Sequence, residues 1–206
     1  AVQIALEEGL VKPTLIGRPA VIAQRIERAG LRLVPGQDFE LINPEDDPRF
    51  RQYWEAYLAL KGREGVTPEM AKAAVRRSNT LIAALSVHLG HADGMLCGLV
   101  GRFEQHLEHV TDVIGLRPGT RTLAALNAVV LDQHTLFIAD TYVNEDPSAE
   151  QLAEIAALAA ESVRRFGLTP RLAFLSHSTF GSRRSASARK MREACELFRA
   201  ALPDVE

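Results

Sequence analysis

The sequence of 206 residues contains only two cysteines, Cys97 and Cys195, and they do not form a CxxC pair. So few thiols in a chain of this length exclude a disulfide framework and lead us to expect a reducing, cytoplasmic compartment. The sequence also lacks an apolar run of the roughly 18 residues that a membrane span requires, and it lacks a recognisable signal peptide. We therefore expect no membrane partner.

An excess of charge is also missing, because 24 lysines and arginines face 26 aspartates and glutamates, for a net charge of -2. Nucleic-acid-binding proteins usually carry a basic excess, so we expect no nucleic-acid partner. Hydrophobic residues at 47% and charged residues at 24% are ordinary for globular proteins and exclude a disordered or fibrous chain. The chain begins at Ala1 without a methionine, and we expect it to be a piece of a longer protein.

Short apolar strands alternate with amphipathic helices along the chain. Helices are predicted for residues 2–8, 19–29, 48–60, 67–90, 102–114, 149–166 and 185–201, and strands for 14–17, 39–43, 95–97, 122–131, 135–140 and 171–175. This alternation predicts an α/β fold with a largely parallel sheet, in which ligands bind at the carboxyl ends of the strands. The Pro118-Gly119 turn is the predicted domain boundary, and residues 132–134 are predicted to join two strands as a hairpin.

Two of these helices begin with capping signals. Thr67 precedes Pro68, which suits an N-cap followed by the first helical position. Ser148 is followed three residues later by Gln151, which predicts a capping box.

The segment from Leu172 to Ser182 is the main candidate for a binding site. An apolar strand is predicted to run into a polar loop, and a helix follows after Arg183 and Arg184. Free backbone N–H groups at a helix start, a glycine and nearby hydroxyls suit an acyl-CoA or phosphate ligand. Its candidate ligand residues are Ser176, Ser178, Thr179, Gly181 and Ser182. Serine and threonine also cap helices, so the pattern alone leaves a capped helix and an anion-binding loop equally open.

Two further segments are weaker candidates. Asp93, Gly98 and Arg102 lie in a predicted strand-to-helix turn where Arg102 could meet a phosphate, although an ordinary tight turn is the favoured interpretation. Lys61 and Arg63 lie in a basic turn that could contact a CoA phosphate, with a solvated loop as the alternative.

The histidines do not predict a metal site or a catalytic triad. Four of them fall in two HxxH pairs, but no HExxH or CxxC motif accompanies them. There is no GxSxG motif, and Ser176 and Ser178 point away from His177 on a strand end. We therefore predict no catalytic residue and no metal ligand. The four histidines are His88, His91, His106 and His109.

Five short segments occur in the order found in the phosphate acetyl/butyryltransferase family, which this chain resembles. They are Gly62-Arg-Glu-Gly-Val-Thr67, Ala92-Asp-Gly94 with Gly98, Ala139-Asp-Thr-Tyr-Val-Asn144, Pro147 with Gln151-Leu-Ala-Glu-Ile155, and Leu175-Ser-His-Ser-Thr-Phe-Gly-Ser182. The last of these, Tyr53-Trp54 and Ser187-Ala-Arg-Lys-Met-Arg192 are similar to one subgroup, the phosphotransacetylase-like C-terminal domain of bacterial multidomain malic enzymes.

The resemblance implies two three-layer α/β lobes with mostly parallel sheets around a cleft, 1–119 and 120–206. The first strand of the family fold, before residue 1, and a C-terminal part are expected to be missing. It also implies that the cleft binds acetyl-CoA. The implied ligand residues are Ser176, Ser178, Thr179, Gly181, Ser182, Asp93, Gly98, Arg102, Asn144, Lys61 and Arg63.

This chain departs from the transacetylase pattern at several positions. True transacetylases typically carry His-Ser-Thr where this chain has Gly101-Arg102-Phe103, and commonly a small or basic residue where Phe180 stands. Their Ser-Arg pair near the carboxyl terminus, used on CoA and acetyl phosphate, has no match here. These departures favour a binding role over acetyl transfer.

The resemblance implies a parent protein that decarboxylates malate to pyruvate, and also oxaloacetate, on an absent N-terminal domain. That domain would use NADP with Mg or Mn. The present domain would bind acetyl-CoA as an effector and form a homo-oligomer, a dimer through this domain and potentially a hexamer for the full protein. The alternatives are a working phosphate acetyltransferase, and a structural oligomerisation domain whose cleft is vestigial.

Overall fold

The computed structural model describes the backbone of residues 1–206 and every side chain except that of Phe180. The chain divides into two compact units, Ala1–Gly115 and Leu116–Glu206, and each unit is described by itself. Within this described part of the chain, no helix is both long enough and apolar enough to cross a membrane.

Unit 1 combines six helices with a small parallel sheet. Its strands β1 (Thr14–Ile16) and β2 (Glu40–Ile42) pair in parallel, with Thr14 opposite Glu40 and Ile16 opposite Ile42. The connection between parallel strands requires a crossover, and α2 provides it. The helices are α1 (Val2–Glu7), α2 (Pro19–Arg28), α3 (Phe50–Lys61), α4 (Pro68–Arg77), α5 (Asn79–His88) and α6 (Phe103–Val113).

The core of unit 1 surrounds α5, which is apolar on several faces and therefore buried. Ile42 of β2, Tyr53 of α3, Val75 of α4 and Leu81 and Leu85 of α5 are almost completely buried. Burial of each such side chain stabilises the fold by about 1.5–3 kcal/mol. The core therefore fixes the positions from which the loops before α4 and α6 start.

The prediction of a single helix over residues 67–90 is wrong, because the helix is interrupted at Ser78. Ser78 has an extended backbone, with φ -125° and ψ 107°. Its N–H donates to Ala74 O at 3.1 Å, and its Oγ accepts from Leu81 N at 3.1 Å. Ser78 thus ends α4 and caps α5, which satisfies backbone groups that a break would otherwise leave without partners.

Unit 2 contains an antiparallel hairpin and two long helices. Strands β3 (Leu126–Val130) and β4 (Thr135–Ala139) pair with Leu126 opposite Ala139, which confirms the predicted hairpin. Helices α7 (Ala149–Arg165) and α8 (Ala186–Ala201) pack against each other. Phe198 of α8 is buried, and its ring meets the ring of Phe174 edge-on at 5.8 Å.

The start of unit 2 is fastened to α7 by carboxylates. Arg117 donates two hydrogen bonds of 2.7 Å to Glu161, which also accepts from Arg165 at 2.7 Å. Hydrogen bonds from these two guanidinium groups lower the pKa of Glu161 to about 2. Two turns earlier on α7, Glu154 accepts from Arg121 N at 2.8 Å.

Two predicted strands, 95–97 and 171–175, are not strands in the described part of the chain. A strand needs a hydrogen-bonding partner along its length, and neither segment pairs with another strand there. Gly98 and Gly101 follow the first segment with φ of 105° and 107°, which bend the chain away from an extended course. In the second segment, Leu172 N donates to Glu206 O at 2.7 Å instead.

Candidate functional site

The loop of residues 176–183 is closed by hydrogen bonds among its own residues. Ser178 N donates to Ser176 Oγ at 3.0 Å, and Arg183 N donates to Ser178 Oγ at 2.9 Å. Ser178 is buried, and the residues after it form a short 3-10 turn, Thr179–Gly181. Both hydroxyls thus shape the loop through local hydrogen bonds with backbone N–H groups.

Arg192 of α8 holds this loop from the helix side. Its Nη1 donates to Gly181 O at 2.6 Å and to Arg183 O at 2.9 Å. Gly181 has a φ of 70°, and a Cβ at this position would lie 3.1 Å from Arg192 Cδ. The turn therefore favours glycine for its backbone conformation and for its close approach to Arg192. The sequence places Arg192 in a run similar to the malic-enzyme subgroup but does not reveal these contacts, because its partners lie nine and eleven residues away.

The solvent-facing part of this loop carries the groups that could meet an anion. Thr179, Ser182, Arg183 and Arg184 are exposed. Guanidinium and hydroxyl groups are donors to phosphate or carboxylate oxygens. The departure noted at Phe180 concerns a side chain outside the described residues.

The His177 side chain contacts the N-cap of α8 and is not part of a catalytic triad in the described residues. Its Nε2 is 3.3 Å from the hydroxyl of Ser185, the N-cap of α8. That hydroxyl already accepts from Ala188 N at 3.3 Å. The contact therefore involves a helix cap, which is a structural use of a serine.

Asn144 belongs to a second ordered loop of unit 2, which follows β4. Its side-chain Nδ2 donates to Leu123 O at 2.8 Å and to Asp140 Oδ2 at 2.6 Å. Asp140 Oδ1 also accepts from Ala125 N at 2.9 Å. Burial raises the pKa of the Asp140 carboxyl, but hydrogen bonds from Ala125, Asn144 and Val143 outweigh it and hold the pKa below its usual value.

Helix α8 contacts both of these loops through basic side chains. Lys190 Nζ forms an ion pair with Asp146, which lies just beyond Asn144. Arg192, two residues later, holds the turn at Gly181. Lys190 and Arg192 of α8 thus contact two loops that are far apart in sequence.

In unit 1, the loop before α6 exposes apolar side chains. Leu96 and Leu99 are fully exposed, and Val100 is 79% exposed. Val100 O lies 2.8 Å from His106 Nε2, which must be the donor because a carbonyl oxygen only accepts. The other ring nitrogen of His106 lies 2.7 Å from Thr80 Oγ1. His106 therefore fastens the apolar loop to α5.

A pocket of about 270 Å³ lies beside this loop, with Gly98 and Phe103 in its lining. Arg102 is exposed and is the N-cap residue of α6, without a side-chain capping bond. Asp93 is also exposed. The structure thus brings Gly98 and Arg102 to one end of α6, on the same loop as Asp93.

Lys61 is held by carboxylates. Its Nζ donates to Asp112 Oδ1 at 2.9 Å and also to Glu64. These hydrogen bonds, to Glu64 first and then Asp112, raise the pKa of the Lys61 amine. A phosphate contact would have to compete with two carboxylates, whereas Arg63 is exposed on the adjacent 3-10 turn.

The candidate residues fall into two groups by unit. Unit 1 holds Lys61, Arg63, Asp93, Gly98 and Arg102. Unit 2 holds Asn144, Ser176, Ser178, Thr179, Gly181 and Ser182. Within unit 2, side chains of α8 contact both loops that carry the second group. Their roles toward a ligand stay predictions.

A family model described as phosphate acetyl/butaryl transferase matches residues 1–206, the whole chain. The chain belongs to this family. Its relatives include the NADP-dependent malic enzyme of Salmonella typhimurium, 51% identical over 100% of this chain and 27% of the relative. The NAD-dependent malic enzyme of Rhizobium meliloti is 50% identical over 100% of this chain and 27% of the relative. The matched part of the NADP-dependent malic enzymes is their C-terminal region, as the subgroup resemblance predicts.

Phosphate acetyltransferases match over the same range at lower identity. That of Synechocystis sp. is 33% identical over 97% of this chain and 28% of the relative. The chain thus spans about a quarter of the length of the curated relatives that it matches.

Solved structures confirm the predicted fold class. A phosphotransacetylase from Streptococcus pyogenes superimposes with a TM-score of 0.85 and 28% sequence identity, covering 99% of this chain and 61% of the other. The chain therefore has the α/β fold of phosphotransacetylases.

Proposed function

We propose that this chain is the acetyl-CoA-binding regulatory and oligomerisation domain of a cytoplasmic malic enzyme. The parent protein would convert malate to pyruvate and CO₂, and also decarboxylate oxaloacetate, on another domain. That domain would use a nicotinamide cofactor, with NADP favoured, and a divalent metal ion such as Mg or Mn. The present domain would bind acetyl-CoA as a signal.

The observation that carries this proposal is the difference in identity between two groups of relatives. The chain is 51% identical to a malic enzyme but 33% identical to a phosphate acetyltransferase, over nearly the same residues. A domain shared by both groups but more similar to the malic enzymes is expected to serve the malic enzyme.

The sequence around the start of α6 supports binding without transfer. Gly101-Arg102-Phe103 replaces the His-Ser-Thr expected of a transacetylase, so one imidazole and two hydroxyl groups are absent from that turn. In their place stand a glycine with φ of 107° and an exposed arginine. An arginine can hold a phosphate of CoA, but its pKa is too high for it to deprotonate the CoA thiol.

Regulation requires that acetyl-CoA bind one conformation of the parent enzyme better than another. Coupling between two sites is typically about 1–3 kcal/mol, or roughly 5–150-fold in affinity. An effector site of this kind needs the binding groups of a transacetylase but none of its transfer groups. The loop at 176–184 supports this proposal. Its exposed hydroxyl and guanidinium groups can bind a ligand, whereas the hydroxyls of Ser176 and Ser178 form hydrogen bonds within the loop.

An active phosphate acetyltransferase is the second candidate function. It is favoured by family membership and by the two serines, the threonine and the glycine of the loop at 178–182. Such an enzyme would deprotonate the CoA thiol and stabilise negative charge on acetyl phosphate. A structural oligomerisation domain without a ligand is the remaining alternative.

Titration of the full-length protein with acetyl-CoA tests the proposal. Isothermal titration calorimetry should detect binding, and malate oxidation should change when acetyl-CoA is added. Free CoA and acetyl phosphate serve as comparison ligands. No heat at millimolar acetyl-CoA, with an unchanged rate, would leave only the structural role.

A transacetylase assay separates the first two candidates. We expect no formation of acetyl phosphate from acetyl-CoA and phosphate by the full-length protein. Clear turnover, lost when the loop at 178–182 is altered, would replace the regulatory proposal by the catalytic one.

A further inference from the structure

We propose that Arg192 is a positioning residue that holds residues 178–184 in the shape in which they bind a ligand. It would act through the carbonyl oxygens of Gly181 and Arg183. The inference rests on the proposed function, because it takes this loop as part of the acetyl-CoA site. It goes beyond that function by assigning a role to a residue on α8.

The contacts of Arg192 are directed at the loop backbone. One nitrogen, Nη1, donates to both Gly181 O at 2.6 Å and Arg183 O at 2.9 Å. The two carbonyl groups are separated only by Ser182, so a single cationic donor fixes both sides of one turn. Hydrogen bonds from a charged donor are stronger than those between neutral groups.

The loop also lies against the stem of Arg192. A Cβ on Gly181 would be 3.1 Å from Arg192 Cδ and 3.4 Å from Cγ. The glycine at this position therefore allows the turn to approach the aliphatic part of the side chain. Arg192 thus supports the loop by packing as well as by hydrogen bonds.

The loop also has local hydrogen bonds of its own. Ser178 N donates to Ser176 Oγ, and Arg183 N to Ser178 Oγ, across two and five residues respectively. Bonds of this kind shape a turn but do not attach it to the rest of the fold. Arg192 attaches the turn at Gly181 to α8, a helix of 16 residues that carries the buried Phe198. On either side of this turn, His177 Nε2 lies 3.3 Å from Ser185 Oγ, and Arg189 Nη1 donates to Arg184 O at 2.5 Å.

An attached loop binds more tightly than one that must become ordered on binding, because the loss of conformational freedom has already occurred during folding. Loss of the two charged hydrogen bonds is expected to weaken acetyl-CoA binding by about tenfold to a hundredfold. Arg192→Lys should restore most of this affinity, since an ammonium group has three donors and can reach two neighbouring carbonyl groups. Arg192→Met keeps an apolar stem but donates nothing.

The test compares wild type, Arg192→Met, Arg192→Lys and Arg199→Met in the full-length protein. Arg199 is an exposed arginine on the same helix, so its variant controls for the loss of one positive charge. Hydrogen exchange of peptides covering 176–184, without ligand, reports whether the loop has been released. Calorimetric titration with acetyl-CoA reports affinity.

We expect Arg192→Met alone to accelerate exchange in the loop and to weaken acetyl-CoA binding, with both effects reversed in Arg192→Lys. Unchanged exchange in Arg192→Met would overturn the inference. Faster exchange with unchanged affinity would also overturn it, because the loop would then be held without serving the ligand. Failure of the wild type to bind acetyl-CoA would refute the proposed function and the ligand part of this inference, whereas the exchange data would still decide whether Arg192 holds the loop.

Discussion

Asp140 accepts hydrogen bonds from both nitrogen atoms of Asn144, the main-chain N at 2.8 Å and the side-chain Nδ2 at 2.6 Å. Because Nδ2 also donates to Leu123 O, the pair ties the end of β4 to the segment before β3. The amide nitrogen of Asn144 is thereby engaged within the protein. Only the side-chain oxygen, which accepts hydrogen bonds, could then serve the ligand role predicted for Asn144 from the sequence.

Removal of this carboxylate should loosen unit 2. Asp140→Ala leaves the N–H groups of Ala125 and Asn144 without their acceptor, and a lost hydrogen bond to a charged group destabilises a protein by about 2 kcal/mol. Scanning calorimetry of the full-length protein should show a lower unfolding temperature. Asp132→Ala, an exposed change at the hairpin turn, is the control; equal effects of both variants would contradict the assigned role.

Ser148 is expected to stabilise α7 through its capping box. Its Oγ accepts from Gln151 N at 3.2 Å, while Gln151 Oε1 accepts from Ser148 N at 2.8 Å. Ser148→Ala should lower the free energy of unfolding by about 1 kcal/mol. Ser162→Ala offers a matched control on the same helix, since its hydroxyl donates only to Leu158 O. A larger loss for Ser162→Ala in denaturant unfolding would refute the prediction.

The ion pairs of Glu161 should make unit 2 less stable in acid. The pKa of Glu161 in the folded protein is about 2, below the roughly 4.3 of an unfolded glutamate. The stabilising contribution is therefore complete above about pH 4.3 and is lost as the pH falls toward about 2. The wild type should exceed Glu161→Gln in unfolding temperature near neutral pH, and the difference should shrink as the pH drops through this window.

Glu193→Gln, a change of an exposed glutamate on α8, is the control for this pH series. Its difference from the wild type should vary less with pH. Added salt should also reduce the effect of Glu161→Gln, because exposed ion pairs are screened. A difference that is constant from neutral to acidic pH would show that the ion pairs do not contribute.

Arg102 is expected to contribute to acetyl-CoA binding if the proposed function is correct. Arg102→Ala should weaken the response of malate oxidation to acetyl-CoA several-fold in the full-length enzyme, because a phosphate would lose a charged donor. Arg28→Ala, at the exposed end of α2, is the matched control. An unchanged response curve for Arg102→Ala would remove Arg102 from the site.

Local signals in the sequence predicted local structure well. Thr67 caps α4, and Ser148 forms the predicted capping box, because each needs only a backbone N–H three residues away. The break at Ser78 was missed because the apolar periodicity continues across it, although Ser78-Asn79 is itself a capping signal. The hairpin of β3 and β4 was found from its turn.

Structure that depends on distant partners was not accessible in this way. The strand predicted at 171–175 does not form. The prediction failed because apolar composition does not show whether a partner strand is present. Lys61 meets Asp112 across 51 residues, and Lys190 meets Asp146 across 44. Both lysines could only be predicted as free cations from the sequence. The same limit explains why Arg192 was not recognised as part of the candidate site.

The apolar loop before α6 has a practical consequence. Cys97 is exposed within it, whereas Cys195 is only partly accessible on α8. A maleimide fluorophore should therefore react first at Cys97, next to the pocket that contains Gly98 and Phe103. Since His106 secures the loop at Val100 O, the dye would be attached near a fixed point of the fold. Its emission would then give an optical readout of whatever molecule enters that pocket.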